Sequence, residues 1–119
     1  MDAEELKLQV ENEIDLLISK VADIPYELIP KVNESNDFAY PFVDISSEGD
    51  LYYVVREQGV ELERSIQPDT DCLLKVIFKS ISYELAFREE LKNSNNYSHQ
   101  QVKNLQEEYL KKFNPDWGL

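Results

Sequence analysis

The chain has 119 residues, with 24 Asp and Glu against 12 Lys and Arg and a formal charge of -12 at pH 7. That length fits one domain, residues 1–119, built around a single core. With one cysteine, Cys72, and one histidine, His99, an intrachain disulfide and the common zinc ligand sets are excluded.

The charge is unevenly placed. Residues 1–74 hold 18 acidic against 5 basic side chains, a balance of -13, whereas residues 75–119 hold 6 against 7, a balance of +1. An acidic surface repels nucleic acid and anionic membranes and steers basic proteins towards itself. Neither nucleic acid nor membrane is therefore an expected partner. The opening MDAEELK is acidic where a secretory signal needs a basic region, and no apolar run approaches the roughly 20 residues that span a bilayer. The expected location is the cytoplasm.

From Asp2 to about Val21 the pattern is an amphipathic helix, with Leu6, Val10, Ile14, Leu17, Ile18 and Val21 on one stripe. It ends before Pro25, because the residue preceding a proline avoids the helical region. The segment up to Asn36 is loop, with room for one short turn near Tyr26. Three strands follow: Tyr40 to Ile45, where Pro41 predicts an edge or a late start, Leu51 to Arg56, and Val60 to Ile66. Gly49 serves the first turn, and Gly59 serves a short hairpin as the residue that accepts positive φ. The third strand alternates, with Val60, Leu62, Arg64 and Ile66 on one face and Glu61, Glu63 and Ser65 on the other. Its apolar face is expected to pack on a helix.

The longest element is a central helix over Pro68 to Lys92. At about 100° per residue, Leu74, Ile77, Phe78, Ile81 and Leu85 form one arc, and Leu73, Val76, Tyr83, Phe87 and Leu91 form a second beside it. Such a helix requires cover from two directions. Lys75, Lys79, Ser82, Ala86, Glu89 and Glu90 share the sector left for water. Asp69, Thr70 and Asp71 supply capping oxygens and first-turn charge, which also explains Asp69 and Asp71 better than a magnesium site does. Cys72 reads as a small filler residue. Asn93 to Asn96 form a polar break, and Ser98 with Gln101 has the form of a capping box. A last helix follows with Val102, Leu105, Tyr109 and Phe113 in phase, stopping before Pro115, and Trp117 folds back on the core. The expected fold is α+β: an N-terminal helix, a three-stranded antiparallel meander, and a long central helix and a C-terminal helix packed on one face of the sheet.

Three charged residues break the apolar patterns. Glu84 and Arg88 stand at helix-neighbour spacing and pair with each other. Arg64, on the inward face of its strand, needs a carboxylate, because an unpaired buried ion is costly; Glu84 is the expected partner. No nucleophile–base pair, metal set or phosphate cradle is present, so neither an enzyme nor a cofactor is expected.

The stretch LYYVVREQGVELERSIQPDTDCLLKVIFKSISYELAFREEL and the terminal FNPDW resemble the bacterial polymorphic-toxin immunity proteins of immunity protein family sixty-three. The resemblance rests on Glu61 to Arg64, on Thr70 with Leu73 and Leu74, on Ile77 and Phe78, on Ala86 and Glu90, and on Trp117. It departs from that pattern at Lys75 and Val76, where the family carries an aromatic, and at Asn95, Asn96 and Tyr97, where it carries a basic cluster. It implies an immunity protein of a contact-dependent growth inhibition or similar system, which binds the C-terminal domain of a cognate toxin stoichiometrically and protects its producer. The toxin domain would be basic, such as a nuclease. Asp44, Glu48, Asp50, Glu57, Glu61 and Glu63 around the hairpin, with Tyr52 and Tyr53 as aromatic anchors, are the candidate partner-binding residues. Arg64, Glu84, Phe78 and Trp117 are read as structural, and no obligate homo-oligomer is inferred. The alternative is an acidic regulatory or chaperone-like binding module.

Overall fold

The computed structural model describes residues 2–93 and 96–119. Helix α1 (Ala3–Ile18) begins where the Asp2 carboxylate accepts the Glu5 amide at 2.8 Å. It buries Val10, Ile14 and Leu17. It stops at Ile18 rather than Val21, yet Ile18, Val21 and Ile24 still pack against the core. A single helical turn, Tyr26–Leu28, follows.

Strands β1 (Phe42–Ile45), β2 (Leu51–Glu57) and β3 (Val60–Gln67) form an antiparallel meander in the order β1-β2-β3. β1 starts directly after Pro41, which has no N–H to contribute to a ladder. Its outer edge is closed by the chain itself: Val43 donates to the Lys31 carbonyl at 2.9 Å, and Asn33 donates to the Val43 carbonyl at 2.7 Å. The β2–β3 turn consists of Gln58 (φ 50°) and Gly59 (φ 81°). Two successive left-handed residues match the twist of a tight hairpin.

Val43, Ile45, Leu51 and Tyr53 face the helices and join Val10, Ile14 and Leu17 in one core. Helix α2 (Thr70–Asn93) lies across this face, and α3 (His99–Phe113) packs along α2. α2 is capped as the sequence predicts, with the Asp69 carboxylate accepting the Cys72 amide at 2.8 Å. Phe78 is fully buried, its ring centroid 4.7 Å from that of Phe113 and 6.1 Å from that of Trp117. Trp117 therefore folds back on the core as expected. Of the polar break between α2 and α3, Ser94 and Asn95 lie outside the described residues.

The two ends of α3 are held by other elements. Ser98 accepts the Gln101 amide at 3.2 Å, the first half of the capping box, but the Ser98 amide donates to Glu90 of α2 at 3.0 Å. At the other end Lys20 donates to the Phe113 carbonyl at 3.1 Å. An acid at the N-terminus and a base at the C-terminus both complement the helix dipole.

Two sequence expectations fail here. Ser82, Ala86 and Glu90, assigned to water, are 0%, 0% and 5% exposed. α3 covers them, because small side chains at Ser82 and Ala86 let a second helix approach closely, and Gln106 of α3 donates to the Lys79 carbonyl at 3.1 Å. The displaced arc emerges instead, leaving Tyr83 and Leu91 exposed. The face assigned to β3 is also reversed. Tyr53 is paired with Ser65, Leu51 with Gln67 and Val55 with Glu63. Directly opposed residues share a face, so the polar side of β3 turns towards the helices. Leu62 and Ile66 are left in water at 57% and 59% exposure, and Val60, paired with Glu57 on the helix side at the hairpin end, is also 59% exposed.

Replacing Phe78 with Ala is expected to destabilise the domain by about 3–5 kcal/mol, measurable by denaturant unfolding. Ser82→Ala is expected to do the opposite. Its buried hydroxyl has no hydrogen-bond partner among the described residues, so removing it while raising helix propensity should stabilise by about 1 kcal/mol.

Candidate partner-binding surface

The face of the sheet turned away from the helices carries Asp44, Tyr52, Arg56, Glu61, Arg64 and Ile66, brought into register by the pairings Asp44 with Tyr52, Tyr52 with Ile66, Val54 with Arg64 and Arg56 with Glu61, together with the buried pair Phe42 and Val54. Between Val55 and Arg56 the register shifts, leaving Leu62 as an extra residue. Such a bulge resets the alternation, which moves Glu61 onto the same face as Arg64.

Arg64 is the centre of this face, not a core residue. Its Nε donates to Glu61 at 2.9 Å and its Nη2 to Asp44 at 3.0 Å, while the guanidinium lies 5.3 Å from the centre of the Tyr52 ring. Glu61, and then Asp44, hold the guanidinium above its already high ordinary pKa. The expected Arg64–Glu84 pair is therefore absent, because the strand turns Arg64 away from α2. Glu84 instead receives Arg88 at 3.1 Å, as the i, i+4 spacing predicts. Arg88 also reaches Glu27 at 3.1 Å and the Tyr40 hydroxyl at 3.0 Å.

The candidate residues do not form one patch. Asp44, Tyr52 and Glu61 converge around Arg64. Glu48 and Asp50 lie in the β1–β2 turn, where the Asp50 amide donates to Ser46 Oγ at 3.0 Å. Glu57 is at the opposite end of β2, at the hairpin. Glu63 is exposed on the helix-side margin of β3, next to Val55. Tyr53 cannot serve as a surface anchor: it is 6% exposed and its hydroxyl hydrogen-bonds Ser80 at 2.8 Å. Burial pushes its ionisation up.

A second surface escaped the sequence reading. The loop at Phe38 to Pro41 and the α2 residues Val76, Lys79, Ser80, Tyr83 and Glu84 line an open groove of about 570 Å³. Beside it Tyr83 stacks on Phe87, with centroids 6.2 Å apart, and Tyr97 meets Phe87 at 5.7 Å. The groove joins segments about 40 residues apart in sequence, so only the unplaced apolar arc of α2 hinted at it. Among the described residues no three His, Cys, Asp or Glu side chains are arranged to hold a metal ion, and no helix is long and apolar enough to cross a membrane.

The family described as Immunity protein 63 matches residues 48–119. The chain belongs to this family. No curated protein and no solved structure matches it. The Immunity protein 63 segment covers β2, β3, α2 and α3, and all the residues that carried the resemblance lie within it. Leu73, Leu74, Ile77, Phe78 and Ala86 are core, Glu90 holds the start of α3, and Trp117 packs on Phe78. Glu61 and Arg64 differ, since their ion pair lies on the open face of the sheet.

Cys72 is exposed rather than a filler. The Asp69 carboxylate accepts its thiol and pushes the thiol pKa up. Fewer thiolates at neutral pH mean slow alkylation despite the exposure. Asp69→Asn removes that cause, so the thiol pKa should fall and alkylation at pH 7 should accelerate, as followed by iodoacetamide labelling and mass spectrometry.

Proposed function

We propose that the protein protects its producer by binding, one to one, the C-terminal toxin domain of a contact-delivered or secreted polymorphic toxin, inside the cytoplasm. Membership of a family of immunity proteins, whose general role is toxin neutralisation, supports the class of activity. The observation that carries the mode is the concentration of charge: the balance of -13 falls on residues 1–74, which comprise α1, the loop after it and all three strands.

A toxin with a basic surface, such as a nuclease with a cationic nucleic-acid groove, suits this face through steering and complementarity. Tyr52, with the Arg64 guanidinium over its ring, offers an aromatic contact of the kind that dominates interfaces. Asp44 and Glu61 share one guanidinium between them, so the cluster keeps a net negative charge for the partner. No chemical step is required of the inhibitor on this reading.

The test is co-purification with the toxin domain encoded beside it, followed by stopped-flow association at increasing salt. Reversing Glu61 and Glu63 to Lys should slow association by about tenfold at low salt and flatten its salt dependence, with the fold unchanged by circular dichroism. Association kinetics identical to the wild type would remove the hairpin from the interface.

A further inference from the structure

β3 is an open edge. Among the described residues its only strand neighbour is β2, whereas the outer edge of β1 is closed by the backbone of residues 31–33. An edge strand directs alternate N–H and C=O groups outward and can template a further strand. Natural edges are guarded by proline, charged side chains (lysine above all), bulges or brevity. β3 has eight residues, without proline or lysine. It carries one bulge near the hairpin, and from Glu63 to Gln67 its ladder with β2 is regular.

The side chains beside this edge are also unusual for one left in water. Val60, Leu62 and Ile66 are each more than half exposed; Glu61 shares the open face with Ile66, while Val60 and Glu63 lie at the helix-side margin. Arg64 pairs with Glu61 and Asp44 and so offsets part of this acidity, but with Glu63 the four side chains still leave a net negative charge. A second copy fits poorly, since it would bring an equally acidic strand and another charge of -12 against the first, and like charges opposed across strands destabilise.

We infer that β3 receives an extended segment of the toxin domain, carrying both apolar and Lys or Arg side chains, as a fourth strand of the sheet. Main-chain hydrogen bonds supply the pairing, and Val60, Leu62 and Ile66 with Glu61 and Glu63 supply selectivity. The inference rests on the proposed toxin-binding function and adds its mode.

The experiment is amide hydrogen exchange of the full chain, free and in complex with the neighbouring toxin domain, together with the double variant Leu62→Lys, Ile66→Lys. The expected result is slowed exchange across residues 60–67 in the complex, and affinity reduced about tenfold or more in the variant at an unchanged melting temperature. A tight complex in which β3 exchanges as fast as in the free protein, and which the variant forms equally well, would overturn strand addition while leaving the immunity reading in place. Failure of the wild-type protein to bind the toxin domain at all would overturn both. Protection of β3 in the free protein with a doubled mass in solution would assign the edge to a second copy and overturn the inference.

Discussion

Covering α2 from two sides is the constraint on which the rest of this structure depends. An apolar helix of this length cannot be satisfied by a sheet alone, because a sheet touches one stripe. α1, β1 and β2 supply one wall and α3 supplies the other, and Phe78 lies where they meet. The small residues Ser82 and Ala86 on α2 allow the second wall to close. Without that approach Phe113 would not reach Phe78, and Trp117 would have no ring to close over.

This arrangement determines what is left for the surface. With the helices on one side of a three-stranded sheet, the other side holds the Asp44, Tyr52, Glu61 and Arg64 cluster beside the buried pair Phe42 and Val54. α2 lies mainly over β2, so β3 extends past the helical cover. The exposed aliphatic side chains of β3 follow from geometry, since Ile66 is paired with Tyr52 on the face away from the helices and Val60 lies at the hairpin end of the strand.

Much of the architecture could be read from residue pattern. Capping oxygens, the glycine hairpin, the proline before β1 and the i, i+4 pair of Glu84 and Arg88 are local signals, and each appears in the structure. The choice of face is not local. Alternation in β3 separates two sides but does not say which side meets the core, and the bulge at Leu62 breaks even that alternation. Placing Arg64 inward followed from its apolar strand neighbours, and those neighbours turned out to be the exposed set. The same limit applied to α2: small residues read as a solvent face when they were a helix contact. In α3 the buried line passes through Gln106 and Leu110 as well as Val102 and Phe113, because a helix lying on another is buried over a broader strip than one apolar row. In the candidate surface, charge density was legible from composition, but the convergence on Arg64 and the groove beside Tyr83 required knowing which distant segments become neighbours.

The hold of Glu90 and Lys20 on the two ends of α3 bears on how the molecule comes apart. A helix of 15 residues is marginal in water by itself, and this one takes an acceptor for its opening amide from α2 and a donor for its closing carbonyl from the segment after α1. Its formation and its docking are consequently a single event. The C-terminal helix cannot peel away as an independent unit without melting, and the chain's first and last thirds are joined in one cooperative transition.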